Sequence, residues 1–194
     1  MEENAVYLSR EIDRYSQYDK SLILVSASSG GPAVIQAMEE VLSPDRLDKV
    51  EAWINIGGIL RGSALADSAI HWPKQLLVRL FLLPRDWDFN SIVSMTTERS
   101  HERLNRIHLP SDILYLNYVG IPLSGHITKR AKGGYSELRE LGPKDGLTLI
   151  PDEIIPSSVT IAEIGLDHYF LDYEIELKTV ALVQLVINYL EESK

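Results

Sequence analysis

Four short apolar segments alternate along the chain with segments of helical periodicity. The apolar segments are residues 21–25, 50–56, 113–119 and 159–164, and a glycine follows each of the last three. Short strands that alternate with helices favour a mostly parallel sheet covered by helices on both faces. The sequence therefore predicts an α/β fold.

The predicted helices fill the segments between these strands. Residues 6–18 have amphipathic periodicity, and residues 32–41 form a second predicted helix that should end near Pro44, because proline does not fit a helix interior. Residues 177–190 are apolar nearly all round, which predicts a helix packed tightly against the sheet. We expect one domain over residues 1–194, with an insertion at about 59–108.

Composition excludes several classes of partner. The chain of 194 residues is 45% hydrophobic and 24% charged, as in a globular domain, and its net charge of −9 disfavours nucleic acids and anionic substrates. Residues 76–83 are interrupted by Arg79 and fall short of the ~20 residues that span a bilayer. We expect no nucleic-acid partner and no membrane span.

Motifs for metals, nucleotides and export do not occur in the sequence. Cysteine is absent, the histidines lack metal-ligand spacing, and there is neither a Gly-Lys-Ser/Thr nor a G-x-G-x-x-G motif. We therefore expect no metal and no cofactor. Residues 1–4 are acidic and differ from a signal peptide, and together with the lack of cysteine this favours a cytoplasmic protein.

The run Ser26-Ala27-Ser28-Ser29-Gly30-Gly31 lies between the first predicted strand and the next helix. A strained strand-to-helix turn of this kind presents one side chain clear of the backbone, and the residues two positions away on either side must be small. Ser28 occupies the presented position. Ser26 stands where glycine is usual.

A serine in such a turn becomes a nucleophile when a histidine removes its proton and an acid orients that histidine. His168 follows the fourth strand, and Asp145 lies in the turn-rich segment 142–147. The carboxyl ends of parallel strands collect active-site loops, so these residues are candidates for one site. Asp167 is an alternative acid, but its position next to His168 makes it less suited to orient that imidazole.

The chain resembles the carboxyl-terminal part of an α/β-hydrolase of the bacterial lipase and acyltransferase type. The resemblance is carried by the turn around Ser28 and by residues 56–67, 142–147 and 165–168. It implies Ser28 as nucleophile, His168 as general base and then acid, Asp145 as its partner, and the Ser29 N–H as an oxyanion donor. Residues 59–60 are Ile-Leu where those lipases usually have Pro-His.

In the complete family fold, several strands precede the strand that ends at the serine, and a loop among them supplies a second oxyanion donor. Here about one helix precedes that strand. The resemblance therefore predicts an unpaired sheet edge at residues 21–25, completed by a second copy, by a separate amino-terminal subunit or by a preceding portion of a longer protein.

The leading functional hypothesis is hydrolysis of a small-molecule or lipid carboxylic ester through an acyl-enzyme. Two alternatives stay open: an inactive hydrolase-like module that acts in assembly or ligand binding, and an acyltransferase. Residues 73–84 are either a lid over an acyl pocket or a core helix. Four further titratable residues in the insertion are interpreted as surface groups or helix caps: His71, Asp86, Asp88 and His101.

Overall fold

The computed structural model describes residues 2–18, 20–82, 88–172 and 174–192. In these ranges, four strands form one parallel sheet in the order β1-β2-β3-β4. The strands are β1 (Leu22–Ala27), β2 (Val50–Ile56), β3 (Leu114–Ile121) and β4 (Val159–Ile164). The predicted α/β fold with a parallel sheet is confirmed.

Helices connect the strands and cover both faces of the sheet. They are α1 (Glu2–Ser16), α2 (Gly30–Gln36), α3 (Pro44–Leu47), α4 (Ala64–Ile70), α5 (Lys74–Leu82), α6 (Phe89–Val93), α7 (Thr97–Arg106), α8 (Lys132–Glu137) and α9 (Ile175–Glu192). A π-helical segment, Ala37–Val41, prolongs α2, and a 3₁₀ turn spans Ile150–Glu153. Helix α3 begins at Pro44, where the sequence predicted the preceding helix to have ended.

The two faces of the sheet have separate apolar cores. On one face, Ile12 of α1 and Ile35 of α2 pack in the same core as Trp53 of β2. On the other face, Leu182 and Val186 of α9 lie in a core with the neighbouring strand residues Ala52, Ile54, Leu116 and Tyr118. Successive residues of a strand point to opposite faces, so β2 contributes to both cores.

The α9 face of the sheet is only partly covered. Leu177, Val180, Leu185 and Tyr189 of α9 are exposed, and Val25 of β1, which pairs with Ile54 in the register, is 49% exposed. The prediction that α9 packs tightly against the sheet is thus correct for one side of the helix only. Strand β1 lies at an edge of the sheet that the described residues form.

Helices α4 to α7 occupy the segment interpreted as an insertion. Trp72, Leu76, Leu77 and Leu80 are between 55% and 81% exposed, which does not fit a core helix. The alternative, a lid over residues 73–84, stays a prediction, and residues 83–84 lie outside the described residues. Among the residues described, no helix has both the length and the apolar character needed to cross a membrane.

The other titratable residues of the insertion are at its surface where they are described. Asp88 caps α6, because its carboxylate accepts a hydrogen bond from the N–H of Asn90 at 2.9 Å. His71 and His101 are exposed. Asp86 lies outside the described residues.

Candidate active site

Ser28 lies in a strained turn between β1 and α2. Its φ of +52° is in the left-handed region, which residues other than glycine rarely adopt. The turn is fixed at both ends: the Ser28 N–H donates to the Ile56 carbonyl at 3.0 Å, and the Ser28 carbonyl accepts from the N–H groups of Gly31 and Ile59 at 3.2 Å each. These backbone hydrogen bonds hold the turn that presents the Ser28 hydroxyl.

The residues around the turn are small for different reasons. A Cβ on Gly31 would lie 2.8 Å from both Asn55 Oδ1 and Leu60 Cδ2, so this position requires glycine. A Cβ on Gly30 would meet only Ser26 Cβ, at an ordinary 3.5 Å. The buried Ser26 hydroxyl is accommodated because it accepts a hydrogen bond from Trp53 Nε1 at 2.8 Å.

His168 approaches Ser28 from the loop after β4. Its Nε2 lies 2.8 Å from Ser28 Oγ, and its Nδ1 is hydrogen-bonded to Asp145 Oδ2. The backbone N–H of His168 also donates to the Asp145 carbonyl, at 3.0 Å, so both the backbone and the imidazole of His168 contact the same residue. The structure brings the three residues predicted from the sequence into one chain of hydrogen bonds.

Asp145 is completely buried, and its carboxylate is held by the turn in which it lies. Oδ1 accepts hydrogen bonds from the N–H groups of Leu147 and Thr148, each at 2.8 Å. Gly146 permits this turn, since its φ is +111°. These contacts leave Oδ2 directed at His168.

Asp167, the alternative acid, has different partners. Its carboxylate accepts from the N–H groups of Thr128 at 2.6 Å and Tyr169 at 3.0 Å. It therefore connects the loop after β3 to the loop that carries His168. Phe170 in the same loop stacks on Tyr118, with 5.4 Å between the ring centroids, and this anchors the loop to β3.

A buried polar layer beneath the turn was not predicted from the sequence. Asn55 and Asn117 are register partners on β2 and β3, and both are fully buried. Asn55 Nδ2 donates to the Glu153 carbonyl at 2.9 Å, and Asn117 Oδ1 accepts from the N–H of Ile155 at 3.2 Å. An asparagine inside each of two apolar strands is the sequence signal that could have found this layer.

The charge environment of the site is acidic. Burial, and secondarily the nearby Asp145 carboxyl, raise the pKa of Glu153 to about 10. Burial also raises the pKa of Asp152, against the opposing effect of Arg61. Within the described ranges, no group of three or more acidic or histidine side chains could hold a metal ion.

Comparison with known proteins finds similarity at the level of structure. No family model matches the sequence, and no curated protein does. Among solved structures, the mature Bacillus licheniformis lipase BlEst2 is 22% identical with a TM-score of 0.73, over 94% of this chain and 73% of that one.

Two further structures are similar. The metagenomic carboxyl esterase MGS0156 is 18% identical with a TM-score of 0.67, over 82% of this chain and 49% of the esterase. Staphylococcus hyicus lipase is 13% identical with a TM-score of 0.64, over 90% of this chain and 72% of the lipase. The chain spans 39% of the propeptide form of BlEst2.

These structures are lipases and esterases, and the chain has their α/β-hydrolase-like fold. At such low identities, the likeness establishes the fold alone. What the site does has to be argued from its own residues.

Proposed function

We propose that this chain is a serine hydrolase that cleaves carboxylic esters. The observation that carries the proposal is the 2.8 Å contact between Ser28 Oγ and His168 Nε2, made by a serine in a strained strand-to-helix turn. A buried aspartate on the other imidazole nitrogen supports it, since that arrangement fixes the tautomer that can accept a proton at Nε2.

The first half of the proposed reaction forms an acyl-enzyme. Ser28 Oγ attacks the acyl carbon while its proton passes to His168 Nε2, and the carbonyl oxygen becomes an oxyanion. The Ser29 N–H, at the amino-terminal end of α2, donates a hydrogen bond to that oxyanion. When the tetrahedral intermediate collapses, His168 returns the proton to the departing alkoxide, which leaves as the alcohol.

In the second half, water attacks the acyl-enzyme and gives its proton to His168. Collapse breaks the bond between the acyl carbon and Ser28 Oγ, and His168 returns the proton to the serine. If an alcohol replaces water, the same steps transfer the acyl group. The ratio of acid to new ester formed in the presence of a competing alcohol distinguishes the hydrolase from the acyltransferase.

The proposed substrate is a neutral ester with an apolar acyl chain. The net charge of −9 disfavours anionic substrates. The exposed side chains of Trp72, Leu76, Leu77 and Leu80 form an apolar surface on and next to α5, suited to a lipid or acyl chain if residues 73–84 act as the lid.

We also infer that a further strand pairs with β1. This strand lies at the edge of the described sheet, and Val25 on its α9 side is exposed. In this proposal the strand comes from a second copy of the chain, from a separate amino-terminal subunit or from a preceding portion of a longer protein. Sedimentation of the active protein tests the inference: an assembled species is expected, and a monodisperse monomer with full esterase turnover would contradict it.

The experiment that tests the hydrolase is covalent labelling with a fluorophosphonate probe, together with hydrolysis of a p-nitrophenyl ester. Ser28→Ala is expected to abolish labelling, and His168→Ala to lower both labelling and turnover about 10³-fold or more. Ser29→Ala is the matched control, because it removes the neighbouring hydroxyl but keeps the backbone N–H. If folded wild-type protein is not labelled, the inactive module is favoured instead.

A further inference from the structure

Glu153 is a buried acid beside the candidate active site that the proposed reaction does not use. It ends the 3₁₀ turn Ile150–Glu153, and none of its surface is exposed. Its backbone carbonyl is fixed to the sheet by Asn55 Nδ2 at 2.9 Å. Its position is therefore determined by β2 as well as by its own turn.

The Glu153 carboxyl has no donor among the described residues. Both of its oxygens are buried, and neither accepts a hydrogen bond from a described residue. Its neighbour is the Asp145 carboxyl, which acts on the Glu153 carboxyl through its charge and through a side-chain hydrogen bond. Two carboxyl groups can share a hydrogen bond only if one of them keeps its proton.

Asp145 has room for this bond. A carboxylate offers about four acceptor sites. The N–H groups of Leu147 and Thr148 occupy two of them, and His168 Nδ1 occupies a third. Because Asp145 already accepts from three donors and the Glu153 carboxyl from none, we assign the shared proton to Glu153.

We propose that Glu153 is a positioning residue that stays a neutral carboxylic acid and donates a hydrogen bond to the Asp145 carboxylate, so that Asp145 remains aimed at His168. This inference rests on the proposed function and adds a fourth residue to the Ser28 site. It also explains why an acid is tolerated at a position with no exposed surface.

The groups that face Glu153 are consistent with a neutral acid. Asp145 and Asp152 both act to raise the pKa of Glu153, in addition to burial, and it reaches about 10. Asn55 and Asn117 of the sheet are uncharged. Arg61 and His101 act on Asp152, and their charges do not contribute to the shift at Glu153.

The first test replaces Glu153 with a side chain of similar size that cannot donate a hydrogen bond. Glu153→Leu is expected to lower kcat about tenfold while KM stays within about twofold, since a hydrogen bond to a charged group is lost. Glu153→Gln keeps an N–H donor, and its kcat is expected to stay within about threefold of wild type. An unchanged kcat in folded Glu153→Leu would overturn the proposal.

A double-mutant cycle identifies the residue through which Glu153 acts. In an Asp145→Asn background, Glu153→Leu is expected to change kcat by less than about twofold, because the acceptor of its hydrogen bond has been altered. A full tenfold loss in that background would show a general packing effect and would also overturn the proposal.

Two further measurements apply if Glu153→Leu does not fold or if wild type is inactive. If Glu153→Leu does not fold, the alkaline limb of the rate profile decides: wild type should lose kcat as Glu153 ionises near pH 10, and Glu153→Gln should not. Equal losses in both proteins would count against the proposal.

If wild type is neither labelled nor active, the proposed function fails. Proton NMR then tests the positioning role of Glu153 separately. The downfield signal of the His168 Nδ1 proton should then be retained in Glu153→Gln and shifted in Glu153→Leu. A signal that is the same in all three proteins would refute the positioning role independently of turnover. If Glu153→Leu is unfolded as well, a signal in Glu153→Gln that differs from wild type would refute it.

Discussion

Replacement of Glu153 by glutamine should make the protein more stable, and by an amount that grows with pH. The pKa of Glu153 is raised from 4.5 to about 10 in the folded protein, mainly by burial. Between these values the unfolded chain has released the Glu153 proton, whereas the folded chain keeps it. Raising the pH therefore favours the unfolded state. Glutamine has nearly the same shape and does not ionise, so the variant lacks this penalty.

The magnitude follows from the size of the shift. Each pH unit in this window lowers the free energy of unfolding of wild type, relative to Glu153→Gln, by about 1.4 kcal/mol. At pH 7 the difference amounts to about 3 kcal/mol, a large fraction of the stability of an ordinary domain. Below the unfolded-state pKa of 4.5, the difference caused by ionisation should disappear.

Urea unfolding at pH 5, 6, 7 and 8 measures this difference directly. Its expected increase from pH 5 to pH 8 is about 4 kcal/mol. Glu191→Gln, which removes an exposed charge near the end of α9, is the control and should change the stability by no more than about 0.5 kcal/mol at any pH. A difference for Glu153→Gln that does not vary with pH would show that Glu153 is ionised in the folded protein, and the reasoning would be refuted.

Two other substitutions test the buried layer under the Ser28 turn. Gly58→Ala would place a Cβ 2.0 Å from Asn55 Oδ1 and is expected to lower the free energy of unfolding by about 2 kcal/mol or more. Gly133→Ala is the control, because its Cβ would meet nothing within 4 Å, and it should cost nothing. Equal effects of the two substitutions in thermal unfolding would contradict this expectation. Ser26→Gly restores the residue usual in such turns, yet it is expected to destabilise the protein by about 1–3 kcal/mol because Trp53 Nε1 loses its acceptor. Urea unfolding measures the cost, and a stabilised Ser26→Gly variant would contradict the explanation.

Hydrophobic pattern was sufficient to predict the elements of the sheet. The bounds of β2 and β4 agree with the predicted segments 50–56 and 159–164, because each strand is marked by an apolar run, although β2 is largely buried and β4 is exposed or half-buried. Strand β1 extends beyond its predicted end at Val25, because Ser26 and Ala27 still pair with β2. The apolar pattern of a sequence does not reveal backbone pairing where the side chains are small or polar.

The same limit explains why the prediction for α9 was correct on one side of the helix only. An apolar helix predicts burial on all sides, but which sides are buried depends on neighbours that the pattern of one helix does not specify. Leu182 and Val186 contact the sheet, whereas Leu177 and Val180 do not. The exposed residues mark a surface where additional structure would be stabilised by burial of apolar area, and Val25, which pairs with Ile54, is exposed as well.

The residues around Ser28 divide by the kind of information that reveals them. Ser28, Asp145 and His168 could be proposed from local context, because each follows a strand or lies in a turn with recognisable chemistry. Glu153 could not, because nothing in its immediate sequence distinguishes a surface acid from a buried one. Its character comes from Asn55 on β2, which fixes its backbone, and, in the proposed arrangement, from Asp145, which accepts its hydrogen bond. A titratable group whose state is set by partners far away in the sequence can be recognised only after folding has placed those partners around it.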